Sequence, residues 1–215
     1  MAPTPTDLRL VTYAKAAYEA KPDFSVSGDL AAIARRTRGG TQIVAFRGTE
    51  IADLENIAVD LAAWPAWRKG LGWCHGGFLH GAEAFLKLPA FWDVAVETTR
   101  PRVFVGHSLG GALALLAAAL AKQAGKPPVL VATFGAPRPG FARLAAYLAS
   151  IPIRRFEHAG DPVPTLPRRF WPFDYRTPGS SIMIGAAEPD PISNHLLETY
   201  IEALESQSPK SRRHP

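Results

Sequence analysis

Apolar positions along the chain fall into short runs that alternate with longer helix-like stretches. Runs rich in β-branched and aromatic residues, such as VFV at 103–105, are typical of buried strands. Stretches rich in alanine and leucine, such as 109–122, are typical of helices, and proline or glycine clusters separate the two kinds. The alternation predicts an α/β fold, with a mostly parallel central sheet and helices on both of its faces.

The predicted elements follow one another along most of the chain. Helices are predicted at 6–20, 77–86, 89–98, 109–122, 141–149 and 195–206. Strands are predicted at 29–36, 41–46, 102–105, 129–134, 153–158 and 181–184, with a hairpin turn at 37–40. The runs at 103–105 and 129–134 are expected to be central strands. Catalytic groups are therefore expected on loops at the carboxyl ends of these strands.

The composition excludes several classes of protein. A length of 215 residues with 47% hydrophobic and 20% charged residues suits a single globular domain. Cys74 is the only cysteine, so no disulfide can form within the chain. The net charge of +5 is not accompanied by basic motifs interleaved with aromatic residues. We therefore expect no nucleic-acid binding. The net positive charge is expected to favour solubility or attraction of the protein to anionic lipid surfaces.

The N-terminal residues lack the basic and apolar regions of a signal peptide, and the apolar run at 113–121 is too short to span a bilayer. These features predict a cytoplasmic protein without a transmembrane segment, with export by another route left open. The polar, basic tail at 207–215 is expected to be disordered.

The sequence GHSLG at 106–110 matches the G-x-S-x-G pattern and lies between a predicted strand and a predicted helix. This strand–turn–helix context distinguishes a nucleophile elbow from a chance match. Gly106 and Gly110 leave room for the tight turn, and Ser108 stands at a helix N-terminus that favours developing negative charge. The pattern predicts that Ser108 is a catalytic nucleophile.

The remaining members of a catalytic triad follow from their order in the chain, which in α/β-hydrolases is serine, acid, histidine. His158 could follow only its neighbour Glu157, which points to the other face of a strand, and His214 lies in the C-terminal tail. His195 is therefore the expected base. Asp161 is favoured as the acid because it follows the strand at 153–158, although it could also be an ordinary turn aspartate. Asp174 is the main rival. The other candidates are Glu157, Glu188 and Asp190.

The oxyanion hole of such an enzyme needs two hydrogen-bond donors. One is the N–H of the residue after the nucleophile, here Leu109. The loop after the strand at 41–46 offers the other at Thr49, which could equally be a plain turn threonine. The adjacent Cys74 and His75 lack a metal-binding spacing and are expected to pack, and we expect neither a metal nor an organic cofactor.

Five segments together resemble the fungal-type class 3 lipases. In chain order they are FRGT at 46–49, CHGGF at 74–78, GHSLGG at 106–111, TFGAPR at 133–138 and DPVP at 161–164. The resemblance covers about residues 40–198. It implies an α/β-hydrolase fold and a catalytic triad formed by Ser108, Asp161 and His195, and we expect residues 1–206 to form a single domain of this fold.

The resemblance also implies roles for residues around the triad. Thr49 and Leu109 would form the oxyanion hole, and Asp60 would steady the Thr49 hydroxyl. The segment at 50–59 would be a mobile lid, and without the resemblance it is a surface helix packed on the core. Its apolar face would consist of Ile51, Leu54, Ile57 and Ala58. Three tryptophans follow this segment, and two positions are open for them: the rim that contacts a lipid interface, or the protein core. They are Trp64, Trp67 and Trp73.

The expected activity is hydrolysis of carboxylic esters of lipids through an acyl-enzyme, as in a triacylglycerol lipase or carboxylesterase. The alternatives are a phospholipase A1, an esterase for small soluble esters, and a catalytically silent hydrolase-fold binding protein. The expected partner is a lipid or small-ester substrate, with or without a lipid–water interface. The chain lacks the cysteine pairs of the fungal proteins, and the interval between Asp161 and His195 is short for the family. That interval shapes substrate preference, so the acyl chain and head group stay open.

Overall fold

The computed structural model describes residues 6–26, 30–49, 64–169 and 172–207. The predicted lid segment at 50–59 and Asp60 lie outside these ranges, as does nearly all of the predicted tail. The prediction that residues 1–206 form one domain stays a prediction.

The strands of the described residues form a large sheet and a separate hairpin. The large sheet contains β1 (Phe24–Ser25), β2 (Ala31–Arg36), β3 (Gln42–Phe46), β6 (Arg102–His107), β7 (Leu130–Phe134), β8 (Ile153–His158) and β9 (Ser181–Ile184). The hairpin consists of β4 (Pro65–Arg68) and β5 (Gly72–His75).

The helices lie between the strands. They are α1 (Asp7–Glu19), α2 (Gly76–Leu86), α3 (Pro89–Trp92), α4 (Leu109–Gln123), α5 (Ala142–Leu148), α6 (Pro191–His195) and α7 (Leu197–Ser206). A π-helical turn, Asp93–Glu97, continues α3, and a 3₁₀ turn, Val163–Thr165, follows β8.

The large sheet has the order β1-β2-β3-β6-β7-β8-β9. β1, β2 and β3 pair antiparallel, and from β3 to β9 every neighbouring pair is parallel. The prediction of a mostly parallel sheet is confirmed, with β6 and β7 near its centre. The register places Phe46 opposite Gly106, and Gly106 opposite Thr133. The carboxyl ends of β3, β6 and β7 therefore meet at one edge of the sheet.

Two apolar clusters cover the two faces of the sheet. On one face α4 is buried from Gly110 to Ala121, because small and aliphatic residues occupy nearly every position of the helix. Each fully buried leucine there contributes roughly 1.5–3 kcal/mol of hydrophobic free energy. On the other face, the apolar stripe of α1 packs beside Tyr200 and Leu204 of α7. The helix α4 that follows Ser108 is thus anchored in the core.

The last predicted helix and the region before α2 differ from the sequence prediction. The predicted helix at 195–206 is two helices, because Leu196 adopts an extended conformation with ψ 137° between α6 and α7. Asp190 caps α6 by accepting hydrogen bonds from the N–H groups of Ile192 and Ser193. His195 therefore ends a short helix instead of beginning a long one. The hairpin of β4 and β5 was not predicted.

Candidate active site

Ser108 stands in a strained turn between β6 and α4. Its φ of 53° makes it the one non-glycine residue with a positive φ among those that the structure describes. Such a conformation costs about 1–3 kcal/mol and persists only where the surroundings enforce it. Here the Ser108 N–H donates to the carbonyl of Phe134 at 2.9 Å, which fixes the turn against β7. The predicted elbow between a strand and a helix is present.

Two glycines allow the close approach of strand and helix around this turn. A Cβ at Gly106 would overlap the carbonyl group of Gly110, and a Cβ at Gly110 would overlap the carbonyl oxygen of Phe46. Any larger residue would separate α4 from β3 and β6. The two glycines therefore set the position of Ser108 at the sheet edge.

Ser108, His195 and Asp161 form one chain of hydrogen bonds. The His195 Nε2 lies 2.9 Å from the Ser108 Oγ, and its Nδ1 lies 2.8 Å from the Asp161 Oδ2. Ser108 is 1% exposed and His195 2%. Because a carboxylate only accepts hydrogen bonds, Nδ1 carries the ring proton and Nε2 is left to accept from the serine hydroxyl. This arrangement can activate Ser108 as a nucleophile.

Tyr200 on α7 holds the carboxylate of Asp161. Its hydroxyl donates to the Asp161 Oδ2 at 2.6 Å and accepts from the His158 N–H at 3.0 Å, while the Val163 N–H donates to the Asp161 Oδ1 at 2.9 Å. Burial, and then the charge of Asp161, raises the pKa of Tyr200 well above its ordinary value, so the hydroxyl stays protonated. Sequence reasoning missed Tyr200, because nothing in the order of residues on α7 shows that it reaches Asp161.

His107 supports His195 from the other side. Its Nε2 lies 2.8 Å from the backbone carbonyl oxygen of His195, and its Nδ1 lies 2.9 Å from the Tyr18 hydroxyl. Burial, and then the neighbouring His195, lowers the pKa of His107 well below its ordinary value. In the neutral ring Nε2–H donates to the carbonyl, so Nδ1 accepts from Tyr18. His107 therefore fixes the backbone of His195, a role that sequence reasoning did not assign.

The predicted oxyanion donors lie at the same edge of the sheet. A Cβ at Gly48 would lie 3.3 Å from the Ser108 Cβ, so the loop after β3 passes beside the serine, and Thr49 is the next residue. Leu109 is the first residue of α4, and the first N–H groups of a helix have no partner within it. Thr49 thus follows a residue that lies beside Ser108 in space, and Leu109 is the next residue after Ser108 in the sequence.

The other predicted acids serve different purposes. Asp174 pairs with Arg169 at 2.7 Å and with Arg176 at 2.8 Å on the surface. Glu157 pairs with Arg155 on β8, and Asp190 caps α6. Of the five candidate carboxylates, Asp161 is the one in contact with His195 in the described structure.

Cys74 and His75 are packed into the structure at the end of β5. His75 accepts a hydrogen bond from the Phe78 N–H at 3.4 Å and stacks on the Phe78 ring with the ring centroids 3.8 Å apart. Burial raises the pKa of the Cys74 thiol to about 12. Across the described ranges, no three His, Cys, Asp or Glu side chains are grouped as metal ligands.

Tryptophans of the β4–β5 hairpin lie on the surface. Trp64 is 79% exposed, Trp67 55% and Trp73 46%. An apolar cleft of about 340 Å³ lies between Trp64, Trp73, Phe141 and Phe173. The alternative that these tryptophans belong to the core is therefore wrong. In the parts of the chain that the structure describes, no helix has the length and apolar character to cross a membrane.

Comparison with known proteins gives the family of this chain. The sequence profile of the family described as "Lipase (class 3)" matches residues 43–171. Lipase A of Sodiomyces alcalophilus is 30% identical over 201 residues, covering 72% of this chain and 45% of the relative. Secreted mono- and diacylglycerol lipase 2 of Gibberella zeae is 30% identical over 189 residues, covering 72% of this chain and 46% of the relative. The chain spans less than half the length of these two relatives.

A solved structure shows the same fold. The lipase from Rhizopus microsporus var. chinensis superposes with a TM-score of 0.68 at 25% identity, covering 85% of this chain and 76% of that one. The α/β-hydrolase fold expected from the sequence is thereby confirmed.

The comparisons correct one expectation. The N-terminal sequence predicted a cytoplasmic location, and that prediction is wrong, because the Gibberella zeae relative is named a secreted lipase. The absence of a signal-peptide pattern in the N-terminal residues was therefore a poor basis for predicting the location of this protein.

Proposed function

Because the chain belongs to the class 3 lipase family, we propose that it hydrolyses carboxylic esters of lipids through an acyl-enzyme. The observation that carries the proposal is the buried hydrogen-bond chain from the Ser108 Oγ through His195 to Asp161. A strained serine, a base and an oriented acid at the edge of a parallel sheet are the parts that acyl transfer requires.

Ser108 is the nucleophile of the proposed mechanism. His195 Nε2 accepts the Ser108 proton while Oγ attacks the ester carbonyl, and Asp161 stabilises the imidazolium that forms. His195 then passes the proton to the leaving alcohol, and the acyl group stays on Ser108. His195 next takes a proton from water while the water oxygen attacks the acyl carbon. The bond between that carbon and the Ser108 Oγ then breaks, His195 returns the proton to Oγ, and the carboxylic acid leaves.

Thr49 and the Leu109 N–H are the proposed donors to the oxyanion. The Leu109 N–H begins α4, whose dipole also favours negative charge at this end. The position of the loop after β3 beside Ser108 supports a contribution from Thr49. Asp60 is proposed, from the family resemblance alone, to steady the Thr49 hydroxyl.

Acylglycerols at a lipid–water interface are the proposed substrates. The Gibberella zeae relative is named for mono- and diacylglycerols. Exposed tryptophans suit an interface, since their rings are apolar and their N–H groups can stay in contact with water or head groups. The segment at 50–59 remains proposed as the lid, through the apolar residues Ile51, Leu54, Ile57 and Ala58.

We also propose that the protein acts outside the cytoplasm, as the name of the Gibberella zeae relative states for that protein. Fractionation of the source cells tests this point. Protein in the medium or the cell envelope would support it, and protein confined to the cytosol would refute it.

Hydrolysis of a panel of esters tests the proposed activity. The panel contains p-nitrophenyl esters from acetate to palmitate, a triacylglycerol, a diacylglycerol and a phospholipid. We expect turnover of the acylglycerols, with loss of about 10⁴-fold or more of kcat in Ser108→Ala. Ser180→Ala, at an exposed serine of the same chain, is the matched control and should keep full activity. No turnover of any ester, or turnover confined to the phospholipid, would contradict the proposal.

A further inference from the structure

A polar cavity of about 430 Å³ lies beside β8 and β9, apart from the apolar cleft of the tryptophans. Asp161 contributes to its wall, but the Asp161 side chain is 0% exposed and bonds to His195. The cavity is therefore next to the candidate active site without being part of it. Four arginines from separate parts of the chain line it: Arg138, Arg155, Arg169 and Arg176.

Two of these arginines share one carboxylate. Asp174 accepts from the Arg169 Nε at 2.7 Å and from the Arg176 Nε at 2.8 Å. One negative charge thus faces two guanidinium groups at this side of the cavity. Both arginines are about half exposed and can turn toward a ligand.

The other two arginines are more enclosed. Arg155 pairs with Glu157 and its side chain is 16% exposed. Arg138 donates to the carbonyl of Pro167 at 3.0 Å. Burial, and then the positive charge of Arg169, lowers the pKa of Arg138. Around the cavity, four guanidinium groups therefore stand against three carboxylates among the described residues, those of Glu157, Asp161 and Asp174.

Two buried hydrogen-bonding atoms of the cavity lack a partner. The Nε of Arg155 and the Oγ1 of Thr177 are both shielded from solvent and make no hydrogen bond in the described structure. Both atoms belong to side chains that line the cavity, and buried polar groups are nearly always paired, so these two side chains have unused capacity to donate a hydrogen bond. Both atoms can donate and the surplus charge of the cavity is positive, so the cavity is suited to an anion.

We propose that this cavity binds a phosphate group. Guanidinium groups recognise phosphate through paired, charge-assisted hydrogen bonds, and several of them around one cavity suit its three or four oxygens. The volume exceeds that of a phosphate ion and leaves room for a small attached group such as glycerol. The phosphate is that of free inorganic phosphate or of an anionic lipid headgroup. This site adds a second ligand to the proposed ester hydrolase and does not depend on that activity.

Calorimetric titration of the full chain with inorganic phosphate tests the site. We expect saturable binding, weakened roughly tenfold or more by Arg176→Gln, because each charged hydrogen bond to phosphate is worth at least that much. Arg176 is half exposed, so its loss should leave the fold intact. Arg138→Gln removes a second guanidinium group from the lining of the cavity and should weaken phosphate binding to a similar degree. Arg36→Gln, an equal charge change on the exposed end of β2, is the matched control.

Co-sedimentation with vesicles identifies the source of the phosphate. If a lipid headgroup is the ligand, vesicles that contain phosphatidic acid bind the chain more tightly than vesicles of phosphatidylcholine alone, and Arg176→Gln removes the difference. If free phosphate is the ligand, only the calorimetric titration responds. The proposal is overturned if neither probe binds, or if Arg36→Gln weakens binding as much as Arg176→Gln and Arg138→Gln do. Binding is read without ester turnover, so an inactive enzyme would leave this result interpretable.

Discussion

Replacing Tyr200 with phenylalanine removes one hydroxyl from the core and leaves the ring in place. That hydroxyl donates to the Asp161 Oδ2 at 2.6 Å and accepts from the His158 N–H at 3.0 Å, and Tyr200 is fully buried. A hydrogen bond to a charged group is worth about 1.5–3 kcal/mol, and an unpaired buried N–H costs about 1–3 kcal/mol. The free energy of unfolding should therefore fall by about 2.5–6 kcal/mol in Tyr200→Phe.

The same substitution should slow catalysis moderately. Asp161 keeps its hydrogen bond from the Val163 N–H, so it stays near His195 but is held by one donor fewer. A loss of about 1–2 kcal/mol of transition-state stabilisation lowers kcat by about 5- to 30-fold. KM should not change, because Tyr200 is buried behind Asp161 and away from substrate.

Urea unfolding and the kinetics of a soluble p-nitrophenyl ester measure both effects. Tyr13→Phe is the matched control, because Tyr13 packs against the same apolar cluster and its hydroxyl has no hydrogen bond in the described structure. It should be close to the wild type in stability and kcat. If Tyr200→Phe behaved like Tyr13→Phe in both measurements, the reasoning that Tyr200 holds the triad acid would be refuted.

Three further predictions concern the acid, the oxyanion donor and pH. Asp161→Asn should lower kcat by roughly 10³–10⁴-fold, and Asp174→Asn far less; the reverse ranking in ester kinetics would make Asp174 the acid. Thr49→Val should lower kcat by about 10²–10³-fold at constant KM while Thr49→Ser is mild, and a silent valine variant would remove Thr49 from the oxyanion hole. Stability should fall as the pH drops below 6.5, the ordinary pKa of histidine, because the unfolded chain takes up a proton that buried His107 does not. Urea unfolding at several pH values should show a smaller loss of stability at low pH in His107→Gln than in the wild type, and the wild-type loss in His80→Gln. Equal losses in the two variants would contradict the assignment of this pH dependence to His107.

The nucleophile elbow could be predicted from the sequence because its requirements are local. Gly106, Ser108 and Gly110 lie within five positions, and their small size is what the close approach of α4 to β3 demands. Asp161 could be predicted because it follows a strand of the sheet, where the carboxyl edge gathers catalytic groups. His195 followed from the order of residues together with the opposite orientation of Glu157 and His158, which are neighbours on a strand.

The supporting contacts could not be predicted, because they depend on tertiary packing. Tyr200 reaches Asp161 only because the helix is interrupted at Leu196 and α7 packs on the sheet. Tyr18 meets His107 across 89 positions of sequence. Spacing along a helix shows which residues share a face, but it does not show which distant residue that face will meet.

The β4–β5 hairpin escaped prediction for a different reason. Its strands are four residues each, too short to display an alternating pattern. Gly70 and Gly72 adopt positive φ in and after its turn, and the tryptophans around it point to solvent instead of the core. An apolar residue in a short segment is normally assigned to the core, so the exposed aromatic surface became visible only in the structure.

Active-site labelling with a serine-directed phosphonate tests the central claim most directly. The account predicts that the wild-type chain gains one phosphonate adduct, that peptide mass spectrometry locates it on Ser108, and that ester hydrolysis is lost in proportion to labelling. An adduct on another serine, or full ester hydrolysis in a chain labelled at Ser108, would contradict the account.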